Sequence, residues 1–221
     1  TSTGTGFFYL FQQTEHGSVP CITTNKHVVE GADMLRVRCH FAEDGKPSGQ
    51  FVDCNIDLSG GVPLWHPNSE IDLCAIPFNS IITQAENQKK SLFYCFLDRS
   101  IVPKADDWQY FDSLEDVLMI GCPNGISDEV NNLPIARRGV SATSLSKNYN
   151  GKPEFMVDMA CFPGSSGSPI FVYDRNGYLD RRTNSYNLGA TRLQLVGILY
   201  SGPLISNSGK IILSHLPRVE T

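Results

Sequence analysis

The chain lacks any apolar run approaching the roughly 18 residues that a membrane-spanning helix needs, which excludes a helical span. Its N-terminus also lacks the charged, apolar and small-residue sections of a signal peptide. The first residue is Thr1 rather than Met, so a removed upstream piece is expected, and the missing signal says little about compartment. Excess positive charge is absent too. Eighteen Lys and Arg stand against 23 Asp and Glu, for a formal net charge of -5, which leaves no electrostatic footprint for nucleic acid. The pairs Arg137-Arg138 and Arg181-Arg182 are too short to change this and read as solvated strand and loop charges.

Closely spaced cysteine or histidine pairs, the usual signature of zinc, do not occur, so neither metal nor cofactor is expected. The 7 cysteines are odd in number, separated in sequence and mostly inside apolar runs. They read as reduced, mostly buried thiols in a cytoplasmic protein rather than a disulfide framework. Helix signals are sparse as well: a turn or two within 80–93 and a short cap-like start at 113–116. There is no internal repeat and no low-complexity tract.

What remains is β. Short runs rich in β-branched and aromatic residues, separated by turn residues, predict strands at 6–11, 19–23, 34–40, 51–56 and 72–77. A second set is predicted at 116–121, 138–144, 155–160, 169–173, 194–200 and 211–214. Residues 98–112 are polar, carry Pro103 and read as a crossover, and 174–191 reads as a long exposed hairpin tip. The expected fold is all-β: two six-stranded antiparallel β-barrels, over residues 1–100 and 110–221, with an active site in the cleft between them.

Three segments carry chemical signals. In Phe162-Pro163-Gly164-Ser165-Ser166-Gly167-Ser168-Pro169 a serine sits among glycines between two apolar strands. Glycine permits the unusual backbone angles that let two N–H groups converge where an oxyanion forms, here those of Gly164 and Ser166. Taken alone, the segment is equally a Gly-Ser hairpin turn. His27 closes the run Thr23-Thr24-Asn25-Lys26 and by itself reads better as a packed histidine. Asp72 opens the apolar stretch Leu73-Cys74-Ala75-Ile76 and by itself reads as a turn cap.

Together they say more. A serine hydroxyl needs an imidazole to take its proton, and that imidazole needs a carboxylate to fix its tautomer. The chain offers one candidate for each role in the order His, Asp, Ser, with His27 and Asp72 in the first half and Ser166 in the second.

With Gly4-Thr5-Gly6-Phe7-Phe8, Thr24-Asn25-Lys26-His27-Val28-Val29, His66-Pro67-Asn68, Gly121-Cys122-Pro123-Asn124-Gly125 and Gly164-Ser165-Ser166-Gly167-Ser168-Pro169, the sequence resembles the trypsin-like peptidases of chymotrypsin fold. The resemblance is nearest to the bacterial branch that includes the high-temperature-requirement proteases, with no PDZ module before Thr221. It implies a serine endopeptidase acting on protein or peptide substrates, and regulation by an attached domain or docked protein. It also implies that Leu199, Tyr200, Ser201 and Gly202 pair with the substrate backbone as an added strand. The pocket for the side chain before the scissile bond falls between these residues and Ala160, Cys161 and Phe162.

Val28 and Ser165 depart from the digestive members, which place a disulfide cysteine and a zymogen-pairing aspartate at those positions. Ala160 supplies no counter-charge for Lys or Arg, and no histidine stands near Leu199 for an acidic residue. By elimination the expected preference is a small or medium apolar side chain, unless Asp158 turns into the pocket. Three rivals remain open: an idle pseudo-protease that only holds a peptide, a thiol hydrolase using Cys161, and a β-rich adhesion domain.

Overall fold

The computed structural model describes residues 3–14 and 17–202. The strand expected at 211–214 lies outside the described residues. The first half pairs β1 (Phe7–Thr14) with β2 (Gly17–Thr24) and β2 with β6 (Cys74–Pro77), whose other edge takes β5 (Leu64–Trp65). Beside this sheet β3 (Met34–Glu43) lies between β4 (Lys46–Asp57) and β7 (Leu92–Phe93). Both sheets face one core of Ile22, Val29, Ile56, Ile76, Phe78 and the thiols of Cys39, Cys54 and Cys74.

The second half is a five-stranded antiparallel sheet. Its order is β10 (Val157–Asp158), β9 (Ile135–Ser141), β8 (Asp116–Gly121), β11 (Pro169–Asp174) and β14 (Arg192–Ile198). β8 alternates, with Val117 and Met119 buried inward, as a strand with one solvated face should. β11 is an inner strand, flanked by β8 and β14, and four consecutive residues from Pro169 to Val172 are buried. A two-stranded ribbon, β12 (Gly177–Asp180) and β13 (Ser185–Leu188), projects from this sheet.

The all-β antiparallel class is as expected, but among the described residues the pairings form open sheets and close no ring. Element ends differ from the sequence reading where turn chemistry intervenes. The second-half strand expected at 138–144 starts earlier and stops at Ser141, where Ser141 Oγ accepts the Glu115 N–H and draws the chain into a turn. The run 155–160 pairs only at Val157–Asp158. The cap-like start at 113–116 keeps a capping-type bond from the Asp112 N–H to the Glu115 carboxylate, but no helix follows because Asp116 enters β8. The helix expected within 80–93 is α2 (Asn79–Asn87), introduced after the four-residue α1 (Lys26–Val29). The crossover folds into 3-10 turns at Arg99–Ile101 and Ala105–Tyr110.

The two halves meet through backbone as well as side chains. Thr5 N–H donates to Ser166 O at 2.8 Å, His40 Nε2 lies 3.0 Å from Asn131 O, and Asn132 Nδ2 donates to Arg38 O.

Candidate active site

His27 sits not at a strand end but on α1, one turn that breaks away from β2 after Thr24. The turn is anchored by Asn25, whose fully buried side chain donates from Nδ2 to Asp72 O at 2.7 Å. Lys26 Nζ adds bonds to His66 O and Asn68 O on the same incoming loop. Asp72 therefore enters the site from a loop tied to the histidine's own helix, just ahead of β6. His27 N–H donates to Asp72 Oδ1 at 3.1 Å, and His27 Nδ1 lies 2.5 Å from Oδ2. A carboxylate only accepts, so the proton is on Nδ1 and Nε2 is left as the basic nitrogen. An open cavity beside the pair is lined by Lys26, Glu30, Trp65 and Ser69.

Ser166 arrives on the loop between β10 and β11. Gly164 and Gly167 both take positive φ, 86° and 87°. At Gly167 a β-carbon would lie 1.9 Å from Thr5 O, so only glycine lets the loop press against the first half. The Gly164 side is set by its neighbour: Pro163 C=O accepts the Asn124 N–H at 2.5 Å. In a trans peptide the following N–H points the opposite way, which turns the Gly164 amide away from Asn124. Among the described residues neither the Gly164 nor the Ser166 N–H has a hydrogen-bond partner. Ser165 is buried and closes a tight turn, donating its N–H to Phe162 O and accepting the Phe162 N–H at Oγ.

One residue holding this loop was not singled out as functional from sequence. Thr5 is buried, donates from Oγ1 to Gly164 O at 2.9 Å, and accepts the Cys122 N–H at the same atom. Its carbonyl accepts Thr24 Oγ1 at 2.7 Å. The Gly4-Thr5-Gly6 run was visible; its partners more than a hundred residues away were not.

The segment after β14 runs alongside. Gly167 N–H donates to Leu199 O and Leu199 N–H to Ser168 O. Ser166 Oγ reaches Tyr200 O at 3.5 Å, and among the described residues it makes no hydrogen bond to His27. The Tyr200 phenol is held above its ordinary pKa by burial first, then by its hydrogen bond to Glu154 and the charges of Glu154 and Asp72. Ser201 and Gly202 follow Tyr200, exposed.

Ala160, Cys161 and Phe162, expected to line the substrate pocket, are exposed on the segment that leads into the Ser166 loop. Partial burial pushes the Cys161 thiol up, against a smaller opposing pull from Arg137. Asp158 is exposed on β10 opposite Val140. Arg137 does not match the solvated reading given to its pair. It faces inward on β9, donates from Nη1 to Ala160 O at 2.7 Å and stands 4.6 Å over the Phe162 ring. All seven cysteines are free, with Cys21, Cys39, Cys54 and Cys74 buried and Cys95 and Cys161 exposed.

A family model described as a trypsin-like peptidase domain matches residues 4–179, a span that includes His27, Asp72 and Ser166 and ends before Leu199–Gly202. No curated protein matches the chain.

Proposed function

This chain belongs to the trypsin-like peptidase domain family and is a serine-type peptidase of chymotrypsin fold, and on that premise we propose that Ser166, His27 and Asp72 are the catalytic triad of an endopeptidase. The observation that carries the reading is the His27–Asp72 pair, which leaves a basic Nε2 on the histidine.

In the proposed reaction Ser166 Oγ exchanges its long bond to Tyr200 O for one to His27 Nε2 when a peptide docks along Leu199–Gly202. Oγ attacks the carbonyl carbon while its proton passes to Nε2, and Asp72 stabilises the imidazolium. The unpartnered Gly164 and Ser166 amides receive the oxyanion. The imidazolium then gives its proton to the departing amine, leaving an ester on Ser166. Water, deprotonated by His27, attacks that ester, and the proton returns to Oγ as the acid leaves. A thiol hydrolase using Cys161 is not favoured, because its raised pKa keeps the nucleophilic thiolate scarce at neutral pH.

One observation favours regulation. Ser166 bonds Tyr200 rather than His27, an arrangement that suits an enzyme completed by substrate or by a docked partner. A fluorophosphonate probe separates the possibilities. Wild type should take one adduct, visible in intact mass, and Ser166→Ala none. His27→Ala should slow labelling by roughly a thousandfold or more. No adduct on wild type alone, with labelling once a partner is added, identifies the gated form. No adduct under any condition leaves the idle peptide-binding module.

A further inference from the structure

Two adjacent arginines on β9 lead different lives. Along Ile135–Ser141 the odd residues face inward: Ser141 is fully buried, and Gly139 is pressed by Asp158 O and Met159. Arg138 points out and pairs with Asp116 at 2.7 Å. Arg137 points in, and among the described residues no carboxylate stands within ion-pair distance of it. Its guanidinium reaches Ala160 O and lies over Phe162, so the charge is held against the segment leading to Ser166 that the family resemblance makes one wall of the substrate pocket. Leu199 and Tyr200, the opposite wall by the same resemblance, are tied to the serine loop by the Gly167–Leu199 and Ser166–Tyr200 bonds.

A guanidinium has five N–H donors in a rigid fork, and at Arg137 one of them serves the Ala160 carbonyl. The aromatic face favours the cation but supplies no anion. A partly desolvated arginine without a counter-charge gains most from a carboxylate, which it can bind with paired, charge-assisted hydrogen bonds. The same charge repels Lys and Arg and gives nothing to an apolar side chain. Elimination among the wall residues pointed to an apolar preference because it weighed their own side chains. Arg137 comes from 23 residues upstream of Ala160, folded back against it.

We propose that Arg137 is the specificity-determining residue of this peptidase and selects an acidic side chain, Glu or Asp, immediately before the scissile bond. This rests on Ser166 being the nucleophile.

The test uses two peptidyl diphenyl phosphonates that differ only in carrying a glutamyl or a leucyl residue at that position. Each forms a covalent adduct on an activated serine, so the ratio of labelling rates reads pocket preference without needing a natural substrate. Wild type should favour the glutamyl probe by roughly tenfold to a hundredfold, the range of one charge-assisted contact. Arg137→Leu should lower that ratio at least about tenfold, and Arg137→Lys should fall between. Any general loss of activity cancels in the ratio. Equal or leucyl-favoured labelling of wild type overturns the assignment, as does a ratio that Arg137→Leu leaves unmoved. If that variant fails to fold, the wild-type ratio and Arg137→Lys still decide. A fluorophosphonate, which carries no such side chain, separates the two failures. If it labels wild type while the glutamyl preference is missing, Arg137 is wrongly assigned. If it does not label wild type, the nucleophile reading fails and this inference falls with it.

Discussion

Thr5 shows how much of a site can depend on a residue that need not touch substrate. Its hydroxyl satisfies Gly164 O and the Cys122 N–H, and its backbone satisfies Ser166 O and the Thr24 hydroxyl. Thr5→Val keeps the shape and removes the hydroxyl, leaving a carbonyl and an amide unmet at a cost of about 1–3 kcal/mol. Turnover should fall more than KM rises, and Thr5→Ser should recover most of both, as measured by steady-state kinetics beside urea denaturation. Gly167→Ala should be worse, because its β-carbon would meet backbone rather than a movable side chain. His27, Asp72 and Ser166 were legible as candidates because the chemistry demands their residue types in a recognisable order. Thr5 and Arg137 were not, since threonine and arginine have ordinary roles almost everywhere and only long-range placement distinguishes these two.

Among the elements, strand cores were legible and strand ends were not. Apolar, β-branched runs reveal β8 and β11, but the stop of β9 depends on a Ser141–Glu115 bond spanning 26 residues, which local pattern does not contain. The histidine was expected to close a strand, whereas Asn25 and Lys26 spend their polar groups on the Asp72 loop and need a helical turn to do so. The sequence reads the ribbon of β12 and β13 as an exposed tip, yet ion pairs tie down both the strand at its base and the turn at its tip. Arg192 on β14 reaches Glu115 and Asp174, Arg181 pairs with Asp112, and Arg182 pairs with Asp107. Glu115 and Arg192 are both largely buried, with side chains 6% and 15% exposed. Arg192→Leu should therefore cost about 3–5 kcal/mol, because it strands a buried carboxylate rather than removing a pair cleanly. A lowered urea midpoint with an unchanged slope would show it. Arg138→Leu, on the solvated face, should change stability by well under about 1 kcal/mol.

Across the whole molecule, two sets of titrating groups bound the stable pH range. Asp53, Asp57, Asp112 and Asp128 are held below the usual carboxylate range, Asp53 and Asp112 by hydrogen bonds to Arg38 and Arg181, Asp57 and Asp128 by bonds to Ser59 and Asn131. The native state then binds fewer protons than the unfolded chain, so their stabilisation is present above the ordinary carboxylate pKa and is lost as pH falls through their lower native values. Burial pushes the thiols of Cys39 and Cys74 up, to about 12 and about 11. Their contribution is complete below the ordinary thiol pKa and is lost as pH rises through those native values. A plot of urea midpoint against pH should accordingly show a plateau that falls at both ends. At neutral pH an alkylating reagent should reach Cys95 and Cys161 well before Cys39 and Cys74, which peptide mass mapping would read.

The bond from Thr5 to Gly164 joins residues 159 positions apart. A nascent chain can form β1, β2 and the His27 helix long before Ser166 leaves the ribosome, yet those elements alone hold no nucleophile. The loop bearing Ser166, once synthesised, takes its shape by leaning on a strand already in place. Contacts of such separation form late. On the assignment of Ser166 proposed above, a chain synthesised only as far as the first half holds the His27–Asp72 pair but not the triad.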